Sequence, residues 1–252
     1  REAPLKALKW MFDKEAPLLF RPQLDWDQWR WGRKVLAQCN DTAFERNVQQ
    51  IVALGAYSHA ALKDLVASTG IEYNRLERGI AHFYTDQKSF DAAGHAVELM
   101  RKFGVQRRLV SRDELLKIEP AFKAYGDKIT GGTYTSTDES GDARVFTQEL
   151  ARRCAARGAQ FLYGHDVLRL NKIGDAIDSV AVIARNTGAG GQKDFILKGD
   201  AFVVACGSYS APLLRTVGVD LPIYPGKGYS ATFPLLRPEG APMVSTIDDG
   251  KK

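Results

Sequence analysis

The chain has 252 residues, 44% of them hydrophobic and 26% charged, which is typical of a folded globular protein of one large domain or two small ones. Its 35 Lys and Arg only slightly exceed its 30 Asp and Glu, and the net charge of +5 indicates no specific anionic partner. The three cysteines, Cys39, Cys154 and Cys206, are odd in number and far apart, which excludes a disulfide framework and a cysteine zinc site. No apolar stretch approaches the roughly 18–20 residues that a membrane-spanning helix needs.

The first half of the chain predicts helices joined by short strands. Residues 1–40, rich in Trp and Pro, predict two short helices, and apolar residues at three- and four-residue spacing predict a long helix from Asp41 to about Gly70. The elements predicted after it are a strand over 79–84, a helix over 89–103, a strand over 108–110, and a short helix capped by Ser111 and Glu114 and ended by Pro120.

The second half changes to an alternation of strands and helices. The pattern predicts a helix over 147–157, strands over 159–163 and 167–171, an apolar run over 179–184, a strand beyond the loop 186–191, and a last strand over 228–233. The run 201–205 is short, continuous and β-branched, as expected of a central strand covered on both faces. A break at Cys206-Gly207 and a helix over 211–217 complete a strand, turn and helix typical of a ligand-binding crevice.

Several kinds of active site are absent from the sequence. The four histidines have no metal-ligand spacing, and Gly207-Ser208-Tyr209-Ser210-Ala211 does not match a nucleophile elbow. The one glycine-rich stretch, 188–191, follows polar residues and predicts a hairpin loop rather than a phosphate-binding loop.

An aromatic and basic run over 26–34 carries Trp26, Trp29 and Trp31. Aromatic residues at helical spacing are most often core, so packing against the protein is favoured. Contact with a membrane surface and stacking on nucleic-acid bases are the weaker alternatives, the second being the weakest.

Four segments resemble a known family. Residues 131–134, 138–147, 203–210 and 224–230 stand in the order and approximate spacing seen in FAD-dependent amine and amino-acid oxidoreductases of the D-amino-acid oxidase type. Residues 4–12 and 227–230 most resemble bacterial members that dehydrogenate D-amino acids. The family's N-terminal G-x-G-x-x-G fingerprint and its C-terminal segment are missing, so we expect a central fragment without the main FAD pyrophosphate anchor.

The resemblance implies an α/β fold, in which a mixed-sheet substrate domain is joined to part of a Rossmann-like FAD domain. Residues 1–145 would belong to the substrate domain, 146–218 to the FAD domain, and 219–252 would return into the substrate domain. The implied cofactor-binding residues are Val167, Ala205, Cys206, Gly207, Lys227 and Gly228. The candidates for a role at the substrate are Tyr229, Lys227 and Arg144, and no metal is expected.

Each of these roles has a simpler alternative. Val167 would contact adenine through its backbone or be an ordinary core valine. Lys227 would interact with the flavin or be solvated, and Tyr229 would orient the substrate carboxylate or fill a strand. Arg144 could pair with a carboxylate, because a guanidinium binds one bidentately, although solvation is the better expectation for a single arginine.

The implied activity is oxidation of D-amino acids, D-alanine among them, to 2-oxo acids and ammonia, with electrons passing to a respiratory acceptor. The expected partners are FAD, a small D-amino acid and that acceptor, without nucleic acid. The implied location is cytoplasmic, with peripheral contact at the inner membrane left open. Two alternatives stay open: an amine oxidase acting on glycine or sarcosine, and a folded interaction module without catalysis.

Overall fold

The computed structural model of the chain describes residues 21–185, 194–237 and 240–250. One of the two short helices predicted within 1–40 and the glycine-rich loop lie outside these residues. The chain forms two compact units. Residues 21, 38–157 and 231–250 make up the first unit, and residues 22–37 and 158–230 the second, as far as the structure describes them.

The described residues form six α-helices, seven strands and two short 3-10 helices. In chain order these are α1 (Trp26–Ala37), α2 (Asp41–Thr69), β1 (Ile80–Tyr84), α3 (Gln87–Lys102), β2 (Arg107–Ser111), α4 (Arg112–Ile118), a 3-10 helix (Pro120–Lys128), β3 (Gly131–Thr135), α5 (Ala143–Ala156), β4 (His165–Ile173), β5 (Ala176–Ala184), β6 (Phe195–Lys198), a 3-10 helix (Gly207–Tyr209), α6 (Ser210–Arg215) and β7 (Ser245–Asp248).

The first unit is built on a mixed sheet of strand order β2-β3-β1-β7, as the predicted α/β class requires. β3 pairs antiparallel with both β1 and β2, and β7 pairs parallel with β1. Because side chains alternate along a strand, one face of the sheet collects the apolar residues. These form the core with residues from α4, the 3-10 helix after it and the segment before β7: Ala81, Phe83, Val110, Leu115, Phe122, Ile129 and Val244.

The ends of the helices in the first unit follow local chemistry. Asn40 accepts a hydrogen bond from the Ala43 backbone N–H at 2.9 Å and caps α2. Gly70 ends that helix in the left-handed conformation, with φ of +61°. The Ser111 half of the predicted cap is present, since its hydroxyl accepts from the Glu114 N–H at 3.2 Å. The Glu114 half is not formed as predicted. The Glu114 carboxylate pairs with Arg108.

The second unit holds a smaller sheet of order β4-β5-β6, in which both pairings are antiparallel. α6 packs against β4, and the Leu170 N–H donates to the Thr216 hydroxyl at 3.2 Å. Two ion pairs join α1 to the residues around α6, from Arg215 to Asp27 at 2.6 Å and from Arg30 to Asp220 at 2.7 Å.

Three predicted strands are wrong. Residues 159–163 lead into β4 without pairing, and residues 201–205 and 228–233 have no strand structure. A strand exists only where a neighbour accepts and donates its backbone hydrogen bonds, and none of the described residues does so for these runs. Val203, in the expected central strand, is 92% exposed.

The two units divide the chain at other places than the expected domain boundaries. α5 groups with the first unit, where Phe146 packs edge-on against Tyr73 at 5.1 Å between ring centroids. Residues 22–37 and 219–230 group with the second unit. No helix of the described chain is both long enough and apolar enough to cross a membrane.

Candidate cofactor site

Val167 lies in β4, an edge strand of the smaller sheet, where it pairs with Val182. The register shifts between Val167 and Arg169, so the strand bulges there and Leu168 has no partner in the ladder. Val167 is 46% exposed, which does not fit an ordinary core valine. An exposed edge strand has backbone groups available to a ligand.

Ala205, Cys206 and Gly207 form the turn that precedes α6. The Cys206 N–H donates to the hydroxyl of buried Ser210 at 3.0 Å, which holds the turn on the first residue of the helix. Gly207 has φ of +55°, and a Cβ added there would meet nothing within 4 Å. Glycine is therefore favoured by its backbone conformation, and the space beside it is open to a bound group.

Lys227, Gly228 and Tyr229 lie in an irregular segment of the second unit. The Lys227 ammonium is 5.3 Å from the centroid of the Tyr229 ring, within the range of a cation–π contact. Tyr229 is 88% exposed, so it does not fill a strand. This pair presents a cation and a phenol together at the surface.

Arg144 stands apart from these candidates because it belongs to the first unit. It lies in the first turn of α5 and is exposed. Its backbone N–H donates to the Asp142 carboxylate at 2.9 Å, so Asp142 caps the helix. Of the site residues predicted from the sequence, Lys227 and Tyr229 have side chains in contact with each other.

Sequence reasoning missed the polar network that holds the segment leading to Lys227. Asp220 accepts hydrogen bonds from Lys34 and Arg30 of α1, and these bonds keep the pKa of its carboxyl below the usual value. The Tyr224 hydroxyl donates to Asp25 at 3.0 Å, and this bond raises the pKa of the phenol. These partners are separated by almost 200 residues along the chain, so no local sequence pattern could have paired them.

The three tryptophans of α1 differ in how they pack. The Trp31 ring packs on Tyr224 at 5.9 Å between centroids, as the favoured interpretation of that run expected. Trp26 and Trp29 are 80% and 51% exposed. Of the three rings, Trp31 is half-buried and packs on another aromatic ring, while Trp26 and Trp29 are exposed.

The first unit has a polar cluster of its own, around Asp138 and Glu139. The Glu139 carboxylate accepts from Arg75 at 2.8 Å and from the Tyr73 hydroxyl at 3.1 Å. Burial opposes ionisation of Glu139, but these hydrogen bonds outweigh it and lower its pKa. The neighbouring Asp138 has its pKa raised, because burial disfavours its charged form more than His59 and Arg107 favour it.

The second unit carries three separate features at the positions predicted to contact the cofactor. These are the edge strand at Val167, the open space beside Gly207 and the Lys227 cation next to Tyr229. Among the described residues, no group of His, Cys, Asp and Glu side chains could hold a metal ion.

The chain belongs to the FAD dependent oxidoreductase family, whose model matches residues 19–252. It is 44% identical to the D-amino acid dehydrogenase of Dechloromonas aromatica (strain RCB) over 247 residues, which is 98% of this chain and 58% of that relative. The D-amino acid dehydrogenase of Granulibacter bethesdensis is 37% identical over 249 residues, covering 99% of this chain and 57% of the relative. The chain thus spans less than three-fifths of the length of these relatives.

Solved structures show the same fold. Glycine oxidase from Geobacillus kaustophilus matches with a TM-score of 0.53 and 23% identity, over 68% of this chain and 43% of that chain. L-proline dehydrogenase from P. horikoshii matches with a TM-score of 0.52 and 18% identity, over 68% of this chain and 41% of that chain. At these identities the likeness supports the fold and not the substrate.

Proposed function

We propose that this chain forms part of an FAD-dependent enzyme that oxidises D-amino acids, D-alanine among them, to 2-oxo acids and ammonia. The observation that carries the proposal is the 44% identity to a D-amino acid dehydrogenase over 98% of the chain. Identity at this level over nearly every residue supports a shared reaction better than the likeness of fold does.

FAD, when bound, supplies the oxidation by accepting the Cα hydrogen with its electron pair, and the resulting imino acid takes up water and releases ammonia. The residues of this chain bind and orient. The edge of β4 at Val167 would hold the adenine, and the turn at Ala205, Cys206 and Gly207 would let the dinucleotide approach the backbone. Lys227 and Gly228 would hold the flavin end.

The substrate carboxylate requires a cation or a hydroxyl donor. The Tyr229 hydroxyl, held next to Lys227, fulfils this role in the proposal, and the exposed Arg144 guanidinium is a second candidate. No protein base is needed if the amine binds in its neutral form.

The activity is tested in a chimaera, in which this chain replaces the matched 247 residues of the Dechloromonas aromatica relative. We expect an artificial electron acceptor to be reduced with D-alanine and other D-amino acids and not with L-alanine. Preferential turnover of glycine or sarcosine would instead show an amine oxidase.

The role of the Lys227 and Tyr229 pair is tested in the same chimaera. We expect Lys227→Met to lower kcat/KM by about tenfold or more, since it removes a charge beside the reacting groups. Lys198→Met, at a lysine of β6 that is 76% exposed, is the matched control and should leave kcat/KM unchanged. Equal values for the two variants would contradict the proposed role.

The chain alone is expected to bind FAD weakly, because the fingerprint that anchors the pyrophosphate in this family does not occur in it. The purified chain should be colourless, and added FAD should separate from the protein during gel filtration. A protein that keeps stoichiometric flavin absorbance would show that the pyrophosphate has an anchor within these residues.

We further propose that the electrons pass to a respiratory acceptor and that the enzyme touches the membrane through α1. The exposed Trp26 and Trp29 rings support membrane contact. Trp31 packs on Tyr224 and is not counted among the membrane-facing rings. In flotation with anionic vesicles, the double variant Trp26→Ala, Trp29→Ala should lose binding. Tyr163→Ala, at a 75% exposed tyrosine of the same unit, should keep it. Undiminished flotation of the double variant would refute the membrane contact.

A further inference from the structure

Two side chains of opposite charge, Arg107 and Asp138, lie at the same end of the larger sheet. Arg107 begins β2 opposite Thr135, the last residue of β3, and Asp138 follows three residues after that strand ends. The Gly79 N–H, just before β1, donates to the Asp138 carbonyl at 2.9 Å and holds its backbone at this end.

The Arg107 guanidinium is half-buried and has only uncharged partners. Its Nε donates to the hydroxyl of buried Thr133 at 3.0 Å, and its Nη1 lies 3.5 Å from the sulfur of Met100. Among the described residues, no carboxylate forms an ion pair with this guanidinium. Burial therefore lowers the pKa of Arg107 below its usual value.

The Asp138 carboxylate is also half-buried, and it accepts no hydrogen bond from the part of the chain that the structure describes. His59 and Arg107 lie close enough for their charges to act on it. His59 adds a third open group, because its buried Nε2 has no hydrogen-bond partner among the described residues. Buried polar atoms nearly always have partners in folded proteins, and an exception calls for water or a ligand.

The neighbouring residues show that ion pairs do form in these surroundings. Arg108, next to Arg107, pairs with Glu114, and Glu139, next to Asp138, pairs with Arg75 at 2.8 Å. Arg107 and Asp138 interact through their charges without direct contact. Partly buried charges that stay unpaired cost solvation free energy, and a small molecule carrying both a carboxylate and an ammonium group would offset this cost at both residues.

We propose that Arg107 and Asp138 form a binding site for a free α-amino acid within the first unit, in which Arg107 binds the carboxylate and Asp138 binds the ammonium group. A guanidinium matches a carboxylate with two parallel hydrogen bonds, and an ammonium group has three N–H donors for acceptors such as Asp138. His59 Nε2 accepts from the same ammonium group when its ring is neutral. The site is built entirely from first-unit residues, whereas Lys227 and Tyr229 belong to the second unit.

The test measures binding to the chain alone, without flavin and without activity, so its outcome is independent of the reaction proposed above. In isothermal titration calorimetry, D-alanine and L-alanine are the probes, and we expect saturable binding at one site. Arg107→Met and Asp138→Asn should each weaken binding about tenfold or more, since each removes hydrogen bonds to a charged group. Asp138→Asn should fold, because it removes a partly buried charge without a partner.

Two control variants should bind as the parent does. Arg108→Met lies next to Arg107 on the opposite face of the sheet, where its partner is Glu114. Lys227→Met removes the cation of the second unit. Loss of binding in Lys227→Met would place the amino acid in the second unit and overturn the proposal.

Three further results would also overturn it. The first is that neither alanine enantiomer binds the parent chain. The second is that Arg107→Met, shown by circular dichroism to be folded, binds as tightly as the parent. The third is that lactate, which has the carboxylate and lacks the ammonium group, binds as tightly as alanine, because Asp138 would then have no part in recognition.

Discussion

At the scale of single residues, both oxygens of the buried Glu119 carboxylate are hydrogen-bonded within the first unit. It is 2% exposed and accepts three backbone hydrogen bonds, from Ala121 at 2.9 Å, Met243 at 2.6 Å and Val244 at 2.8 Å. Its two oxygens thus join the start of a 3-10 helix to the segment entering β7. Hydrogen bonds to a buried charged acceptor are among the stronger ones in proteins.

We predict that Glu119→Gln lowers the free energy of unfolding by about 2 kcal/mol, because the amide NH₂ must face a backbone N–H donor. Urea unfolding followed by circular dichroism measures the change. Glu114→Gln, at a carboxylate 42% exposed and paired with Arg108, should cost less than about 1 kcal/mol. If both variants unfold at the same urea concentration, the three hydrogen bonds to Glu119 do not stabilise the fold more than the surface ion pair of Glu114 does.

Two adjacent carboxyl groups, Asp138 and Glu139, should influence stability in opposite directions. The pKa of Glu139 is lowered on folding, so its stabilising effect is present above its unfolded pKa of 4.5 and is lost as the pH falls through the folded value. The pKa of Asp138 is raised, so the ionised form penalises folding once the pH has risen above the folded value.

At pH 7 we therefore expect Glu139→Gln to destabilise the protein and Asp138→Asn to stabilise it. The difference in unfolding free energy between the two variants should shrink as the pH falls towards 3. The midpoints of urea unfolding at pH 7, 5 and 3.5 measure this difference. A difference that stays constant with pH would show that ionisation of the pair is not its cause.

At the scale of elements, the long helix α2 ends as its sequence predicts, at a glycine. Gly70 has φ of +61° and open space around it, so only its backbone conformation requires glycine. Gly55 also has open space around it but lies in the helix interior, where glycine is less favourable than alanine.

The same substitution should therefore act in opposite directions at the two positions. Gly70→Ala should lower the free energy of unfolding by about 1 kcal/mol, and Gly55→Ala should raise it by about 0.5–1 kcal/mol. Denaturant unfolding of the chain measures both. Destabilisation by Gly55→Ala would indicate a close contact at the helix surface that this structure does not contain.

At the scale of the whole molecule, two apolar runs of the chain differ sharply in their exposure. Residues 201–205 have the composition of a central strand, yet Val203 is 92% exposed. In the smaller sheet, by contrast, Val182 of β5 is 3% exposed and paired on both sides.

In the chain alone, we predict that Val203→Asp changes the free energy of unfolding by less than about 0.5 kcal/mol. Val182→Asp should cost more than about 3 kcal/mol, because it buries a charge without a partner. Chemical denaturation of the two variants makes the comparison. Comparable losses would show that residues 201–205 are covered within this chain.

The sequence by itself determined the elements whose signals are local. The span of α2, its end at Gly70 and the cap at Ser111 all follow from neighbouring residues, and the structure confirms them. The mixed α/β class, which the family resemblance implied, is confirmed as well. The family could be recognised for a similar reason, since its motifs are short runs such as those around Gly207 and Lys227.

Only the tertiary structure decided which runs become strands and which polar groups meet. The apolar run 201–205 is not a strand here because hydrogen-bonding partners, not composition, make a strand, and the described residues supply none for it. The Lys34–Asp220 pair and the hydrogen bonds that Glu119 accepts from Met243 and Val244 join residues more than 120 positions apart. Such contacts depend on how the elements pack, which no local spacing encodes.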